Sequence, residues 1–148
     1  RKLFTQVSCV ACHAMKGTGG KLAPDMFGLQ EKLAEQKTDV AKIVESLTEP
    51  SKEIEAKYRT QIIATLGGKL YSGVIVEQND QVLKLSDNPL KEDGGVIEIP
   101  KKDIDEQDES KVSIMPEGLL NTMTKEEILD LLAYIISGAN PEHPAFRK

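Results

Sequence analysis

Apolar residues recur at helical spacing in three parts of the chain, and each part predicts a helix. The first covers residues 1–13, the second runs from about residue 38 to Thr48, and the last follows Thr124. Intervals of three and four residues place apolar side chains on one helix face, which can then be buried. Thr124 and Glu127 form a T-x-x-E capping box, and Gly138 suits the position after the last helical residue.

The middle of the chain is β-prone instead, and it predicts a small antiparallel sheet over residues 58–100. Four strands are expected, at residues 58–66, 69–76, 81–86 and 95–99. Gly67-Gly68 is a turn signal between the first two strands, and Glu92-Asp93-Gly94 is predicted to break the chain before the fourth. We expect loops without regular structure at residues 14–29, which are rich in Gly and Pro, and at the acidic residues 103–109.

Length and charge limit the classes of function. A chain of 148 residues fits one domain, so residues 1–148 are expected to form a single domain into which residues 58–100 are inserted. The formal net charge of −5 argues against nucleic-acid binding, because phosphate backbones attract clustered Lys and Arg. No apolar run reaches about 18 residues, so no membrane span is expected. Because Arg1 opens the chain inside a predicted helix, we expect a mature or excised fragment of a longer protein.

The most informative chemistry lies near the amino terminus. The chain has two cysteines and two histidines, and three of these four residues form the sequence C-x-x-C-H: Cys9, Cys12 and His13. This is the attachment signature of c-type haem. Two thiols three positions apart on a helical turn can each bond to one of two adjacent vinyl groups, and the following His can bind the iron. We therefore predict one haem c, covalently bound through Cys9 and Cys12, with His13 as an iron ligand.

Two other interpretations of this motif remain open. A redox-active dithiol also uses C-x-x-C, but at a helix start in a βαβ unit, and no parallel-sheet pattern surrounds these residues. A structural zinc site needs four ligands, and the fourth would have to be the distant His143. We prefer haem attachment because a dithiol would leave His13 without a role and zinc would depend on that distant fourth ligand.

The methionines offer a second axial ligand to the iron. A Met paired with a His raises the reduction potential, which suits electron transfer. Met115 precedes Pro116 in a loop remote from the Cys pair, and the proline restricts the backbone before it, so this loop can hold a thioether over the iron. His143 lies in a proline-flanked tail and is expected at the surface. The other methionines are expected to serve packing or to lie too close to His13: Met15, Met26 and Met123.

The order of these features resembles class I monohaem cytochrome c. That family has an N-terminal helix ending in C-x-x-C-H, a Gly/Pro loop, an intermediate helix, a Met-Pro loop and a C-terminal helix. The resemblance implies a mainly α cytochrome c fold, here with an inserted small antiparallel β-sheet and hence α+β overall. It also implies that the carbonyl of Pro24 accepts a hydrogen bond from His13, and that Phe4 packs against Tyr134 where the first and last helices cross.

A closer resemblance covers nearly the whole chain. Pro50-Ser51, the Gly-Gly turn, the Ser-x-Met-Pro-x-Gly-Leu sequence beginning at Ser113 and the Leu-Leu-Ala-Tyr sequence ending at Tyr134 look like the haem-binding domain of planctomycete and verrucomicrobial proteins. In those proteins the domain often forms the C-terminal part of large dehydrogenase-like chains. The resemblance implies a periplasmic or otherwise extracytoplasmic location, where the family acquires its haem.

We expect the chain to transfer single electrons and not to act as an enzyme. No Ser/His/Asp set, phosphate-binding loop or second metal cluster is visible in the sequence. The expected partners are redox proteins, such as a dehydrogenase or an oxidase, and a second copy of the chain that pairs through the inserted sheet. Two alternatives remain: a haem sensor or peroxidase-like site with an open sixth position, and a redox or oligomerisation module of a larger dehydrogenase.

Overall fold

The chain forms two compact units. The structure is a computed structural model, and it describes residues 1–88, 91 and 95–146. One unit, called the helical unit, comprises Arg1–Glu49 and Glu117–Lys148; the other, called the sheet unit, comprises Pro50–Pro116. The predicted chain break at residues 92–94 lies outside the described residues.

The helical unit contains five described helices and a short hairpin. The helices are α1 (Lys2–Gln6), α2 (Cys9–Cys12), α3 (Leu29–Ala34), α4 (Val40–Thr48) and α5 (Lys125–Ile136). The hairpin strands are β1 (Ala14–Met15) and β2 (Thr18–Gly19), and 3-10 turns lie at Met26–Gly28 and Pro144–Phe146. The two longest helices, α4 and α5, confirm the second and third helices predicted from the sequence. No helix among the described residues is long and apolar enough to cross a membrane.

Side chains cap the first residues of α4 and α5. The carboxylate of Asp39 accepts a hydrogen bond from the N–H of Lys42 at 2.7 Å. Thr124 Oγ1 accepts from the N–H of Glu127, and the Glu127 carboxylate accepts from the N–H of Thr124, which is the predicted capping box. Just beyond α5, Gly138 has φ 56, a left-handed conformation that glycine adopts without strain. These contacts satisfy backbone groups that helix ends leave unpaired.

The first predicted helix is interrupted at Ser8. This residue has φ 61 and separates α1 from α2, because a left-handed residue cannot continue a right-handed helix. The loop predicted for residues 14–29 also contains regular structure, namely the β1–β2 hairpin and the 3-10 turn Met26–Gly28. That prediction was wrong because two-residue strands and three-residue turns are too short to leave a periodic pattern.

The sheet unit is built on one five-stranded antiparallel sheet. Its strands are β3 (Thr60–Thr65), β4 (Leu70–Gln78), β5 (Val82–Ser86), β6 (Val96–Pro100) and β7 (Ile104–Glu109), in the order β6-β5-β4-β3-β7. Two 3-10 turns lie at Ala56–Tyr58 and Lys101–Asp103. Gly68, with φ 77, turns the chain from β3 into β4 as predicted. Strands β3 to β6 confirm the four strands expected from the sequence.

The sheet curls around its own core. β6 and β7 lie at opposite edges, yet only the three residues Lys101–Asp103 connect them. This connection spans at most about 14 Å, whereas the edges of a flat five-stranded sheet lie about 19 Å apart. The sheet must therefore bend until the last residue of β6 and the first residue of β7 approach each other. The core of the sheet unit contains buried aliphatic residues with partly buried neighbours: Ile63, Leu83, Leu85 and Ile99, with Tyr71, Ile75, Ile97 and Ile104.

The expectation of a mainly α cytochrome c fold is wrong. Helices account for 34% of the chain and strands for 25%, and a five-stranded sheet accompanies the two-stranded one. One reason is that α1, α2 and α3 are short. The other is that the predicted acidic loop at residues 103–109 contains β7, an edge strand. Such a strand can expose its side chains on both faces, so no apolar alternation marks it in the sequence.

Candidate cofactor-attachment site

The C-x-x-C-H motif occupies one helical turn of the helical unit. α2 begins at Cys9 and ends at Cys12, so the two thiol-bearing residues start and finish the same turn. His13 follows in an extended conformation, with φ −102 and ψ 135, and its N–H donates to the carbonyl of Cys9 at 2.9 Å. The three residues thus lie within one helical turn and the residue that directly follows it.

Both cysteines carry free thiols, with Cys9 buried and Cys12 half-buried. Burial raises the pKa of each thiol, because a thiolate loses hydration in apolar surroundings. At Cys9 a backbone hydrogen bond opposes this rise and the neighbouring Cys12 adds to it. Thiols with raised pKa values form little thiolate near neutral pH, whereas a reactive dithiol needs a lowered pKa.

His13 is held by one hydrogen bond, the one that the family resemblance implies. Its Nδ1 lies 2.8 Å from the carbonyl oxygen of Pro24, and since a carbonyl can only accept, Nδ1 carries the proton. Burial lowers the pKa of His13 and favours the neutral ring, although the bond to Pro24 opposes this shift. The lone pair of the neutral ring is then on Nε2.

The second ring nitrogen of His13 remains available. Among the described residues Nε2 has no hydrogen-bond partner, since the one bond of this ring engages Nδ1. In the described part of the chain, every fully buried side-chain nitrogen or oxygen has a hydrogen-bond partner. Since Nε2 has none, this atom is not fully buried. A neutral imidazole nitrogen in this state can bind a metal ion.

The segment after the motif packs against it, backbone to backbone. The N–H of Gly20 donates to the carbonyl of Val10 at 2.9 Å, and that of Ala23 donates to the carbonyl of Cys12 at 3.1 Å. A β-carbon at Gly20 would overlap the carbonyl oxygen of Ala11, so this approach requires glycine. These contacts return the chain to the motif and bring the following proline beside the imidazole.

Asp25 fixes the backbone immediately after Pro24. Its carboxylate accepts hydrogen bonds from the N–H of Phe27 at 2.9 Å and from the N–H of Gly17 at 3.3 Å, so it ties together two parts of the loop. Sequence reasoning missed this residue. The available signal was its place after a proline at the start of a turn, where an Asp side chain often bonds to the backbone two residues later.

The first and last helices meet through aromatic rings, as expected. The ring centroids of Phe4 in α1 and Tyr134 in α5 are 5.6 Å apart, with an angle of 52° between the planes. Aromatic pairs favour such tilted arrangements. Phe4 is buried, so the contact anchors α1 a few residues before the motif.

Met115 lies in the sheet unit, whereas the four other predicted site residues lie in the helical unit. Met115 is half-buried, and its N–H donates to Oγ of Ser113 at 3.1 Å. The N–H of Ser113 donates in turn to Oγ of Ser51 at 3.2 Å. Two serine hydroxyls therefore fix the backbone of the Met-Pro loop within its unit.

The remaining candidate ligands belong to the helical unit. Met15 is buried in β1, Met26 is half-buried in a 3-10 turn, and Met123 is half-buried just before the cap of α5. Nδ1 of His143 accepts a hydrogen bond from the N–H of Ala145 at 3.1 Å, which gives this histidine a local structural role.

These residues fit a covalently attached haem better than the two alternatives. In the part of the chain that the structure describes, no group of three His, Cys, Asp or Glu side chains could hold a metal ion, so a structural zinc would lack ligands. The raised pKa values of both thiols disfavour a reactive dithiol. A haem c requires two free thiols on one turn and one imidazole nitrogen, and all three are present.

Comparison with models of known protein families finds none that matches the chain, and comparison with curated proteins finds no significant match.

Proposed function

We propose that this chain is a one-electron carrier that holds a single haem c through Cys9, Cys12 and His13, with Met115 as the second axial ligand. The observation that carries the proposal is the turn Cys9–Cys12, which bears two free thiols and leads into an imidazole with an available Nε2. A structural zinc ion would need a fourth ligand, and dithiol chemistry would leave His13 unused. When bound, haem supplies an iron centre that alternates between Fe(III) and Fe(II).

Cys9 and Cys12 would attach the cofactor by addition. Each S–H would add across one vinyl group: a C–S bond would form, the thiol hydrogen would go to the neighbouring carbon, and the double bond would become single. No electrons are gained or lost, so the step needs no oxidant. It does need reduced thiols, and both cysteines are free. Two such bonds hold the group without a deep pocket.

His13 would hold the iron through Nε2, and its ring is oriented by Pro24. The carbonyl of Pro24 accepts from Nδ1–H, so it fixes the tautomer and the rotation of the ring, and it makes Nε2 more basic. The lowered pKa of His13 keeps the ring neutral, so a proton does not compete for Nε2.

The thioether of Met115 is a soft, neutral ligand that favours the reduced iron. Pro116 restricts the backbone of Met115, and Ser113 Oγ accepts its N–H, so the loop is held before any ligand binds. The pairing of Met115 with His13 rests on the order of motifs along the sequence.

The proposed partners are redox proteins that deliver or accept one electron. The proposed location is the periplasm or another extracytoplasmic compartment. Both follow from the resemblance to class I cytochromes. A haem-based sensor with an open sixth position is the competing function, and the Met115 variant separates the two.

Attachment is tested by the double substitution Cys9→Ser/Cys12→Ser. Acid-acetone extraction should remove haem from this variant and leave it bound in the parent, because serine forms no thioether. Ala11→Ser, in the same turn, is the matched control and should retain haem. Covalent haem in the double variant would contradict the assignment.

Axial ligation is tested by Met115→Ala, with Met26→Ala and Met123→Ala as controls. Only Met115→Ala should abolish the sulfur-to-iron charge-transfer band of the oxidised protein, lower the reduction potential and let the reduced iron bind carbon monoxide. A parent protein that already binds carbon monoxide, or a band lost in a control instead, would refute Met115 as the ligand. The first result would favour the sensor.

A further inference from the structure

Strand β7 has one unpaired edge. It lies at the end of the strand order, and its one partner among the described strands is β3, where Gln61 is opposite Glu109 and Ile63 is opposite Gln107. All of residues 105–109 are exposed. β6, at the other edge, ends at Pro100, whose nitrogen carries no hydrogen. β7 contains no proline, so every residue in it has an N–H.

The register shows which backbone groups of β7 point outward. Ser110 lies opposite Thr60 in the β3–β7 register, and its N–H donates to the carbonyl of Thr60 at 2.8 Å. Hydrogen-bonded and non-bonded pairs alternate along an antiparallel ladder, so Asp108 also bonds to β3, and the N–H groups of Gln107 and Glu109 point away from it. Neither of these two N–H groups has a partner among the described residues.

Two carboxylates beside this edge have no cationic partner in the part of the chain that the structure describes. Asp108 is opposite Ile62, which is 36% exposed, whereas the next residue, Ile63, is completely buried. Asp108 and Glu106 therefore lie on the face away from the core, and neither forms an ion pair with any described residue. Glu109 is on the other face, 2.7 Å from Arg59, which lowers the pKa of its carboxyl.

We propose that β7 is a docking edge for a partner protein that adds an extended segment as a sixth strand, with Lys or Arg at alternate positions. The added strand would hydrogen-bond to the backbone of Gln107 and Glu109. Its residues opposite Glu106 and Asp108 would have Cα atoms about 4.5 Å from theirs, where opposite charges stabilise a strand pair. Residues two positions apart share a face, so the basic residues are needed at i and i+2.

A second copy of this chain is a poorer occupant of the edge. Antiparallel pairing of two β7 strands would place carboxylates opposite carboxylates, which is destabilising. Pairing of β7 with β6 of another copy would supply no basic residue, because β6 contains Glu98 and ends at Pro100. The negative charge of β7 therefore favours a basic partner. The backbone hydrogen bonds of the added strand contribute affinity that depends less on charge.

The test uses the full chain and a blocked peptide of alternating Lys and Thr. Amide hydrogen exchange followed by NMR should slow at Gln107 and Glu109 when the peptide binds, while Glu106 and Asp108 are protected already by β3. N-methylation of the Thr amides should abolish binding, because these amides face β7, and N-methylation of the Lys amides should not. If methylation of the Lys amides abolished binding and methylation of the Thr amides did not, the proposed register and the role of Glu106 and Asp108 would be wrong.

Variants separate a docking edge from general attraction between charges. Glu106→Lys/Asp108→Lys should weaken peptide binding about tenfold or more, because two attractive cross-strand pairs become repulsive. Asp80→Lys/Glu142→Lys changes two exposed carboxylates by the same net charge and should alter the affinity by less than about twofold at moderate salt. Gln107→Pro removes one outward N–H and leaves the backbone bonds to β3 in place, although it loses the side-chain bond from Gln107 Nε2 to Gln61. It should weaken binding more than Gln107→Ala, which loses the same side-chain bond but keeps the N–H.

Three results would each overturn the proposal. The first is an equal loss of peptide affinity in the two charge variants. The second is that amide exchange at Gln107 and Glu109 does not change when the peptide is present. The third is a dimer in sedimentation whose β7 amides are protected from exchange without peptide. If Glu106→Lys/Asp108→Lys does not fold, Gln107→Pro and the two methylated peptides still decide.

Discussion

His13 illustrates how a residue in a recognisable motif depends on backbone that the motif does not include. The proton of Nδ1 is held by a carbonyl 11 positions along the chain, at Pro24, and this bond leaves Nε2 available. The intervening loop can bring Pro24 there only because Gly20 packs directly on the motif. A C-x-x-C-H sequence alone supplies the donor atoms but not their orientation.

The close contact of Gly20 gives a prediction at this scale. Gly20→Ala would place a β-carbon in the carbonyl of Ala11, which costs about 1–3 kcal/mol or more in overpacking. The variant should show a lower free energy of unfolding in urea and a lower yield of attached haem. Gly28→Ala is the matched control, because Gly28 has φ −66 and no atom within 4 Å of an added β-carbon. Equal losses in both variants would contradict the role of the contact.

The pair Arg59–Glu109 gives a prediction about pH. Its hydrogen bond and charge lower the pKa of Glu109 from the ordinary value of 4.5. A carboxyl whose pKa is lower in the folded state contributes stability above that ordinary value, and the contribution is lost as the pH falls through the folded pKa. NMR titration should show Glu109 ionising at lower pH in the parent than in Arg59→Gln. An unchanged titration would mean that the ion pair does not persist in solution.

At the scale of elements, α5 is the one most completely encoded by local sequence. The capping box of Thr124 and Glu127 sets its first residue, and its buried face packs through Leu131 and Ile135. Both features are read from residues close together in the chain, so the prediction of this helix is confirmed nearly residue for residue.

Removal of the cap should therefore destabilise the helical unit. Thr124→Ala should lower the free energy of unfolding by about 0.5–2 kcal/mol, because the N–H of Glu127 loses its acceptor. Thr122→Ala, an exposed threonine two residues earlier, is the control and should change stability little. Urea denaturation followed by circular dichroism measures both, and similar values would show that the cap contributes nothing.

β7 is the strand of the five-stranded sheet that sequence reasoning missed. Its residues, Ile104–Glu109, are five polar or charged residues after one isoleucine, and such a composition predicts a loop. These residues form a strand because the backbone of β3 pairs with them in register. The paired residues range from Thr65 and Ile104, 39 positions apart, to Gln61 and Glu109, 48 positions apart, so no local window contains the cause.

At the scale of the molecule, the two units predict the outcome of a deletion. Replacing residues 60–109 by a short Gly-Ser linker removes the whole sheet and should leave haem attachment through Cys9 and Cys12 intact, since the motif lies in the helical unit. Replacing only residues 58–100 would leave β7 without β3, and this variant should aggregate. Pyridine haemochrome yield and sedimentation measure the two results. Equal behaviour of both deletions would show that β7 does not belong to the sheet.

The sequence by itself determined whatever is encoded within a few residues: the two capped helices, the four strands between turn signals, the Gly67-Gly68 turn and the C-x-x-C-H motif. Apolar periodicity, helix capping and turn formation each involve residues within three to seven positions of one another, so they can be recognised in the sequence. Only the tertiary structure decided that Ser8 interrupts the first helix and that Ile104–Glu109 completes a curled sheet, and it supplied the bond from His13 to Pro24 that the family resemblance implies. The left-handed backbone of Ser8 leaves no mark on the apolar periodicity. The pairing of β7 with β3 joins residues 39 to 48 positions apart, and the bond of His13 spans 11 positions, so neither contact lies within the few residues over which a local pattern is visible.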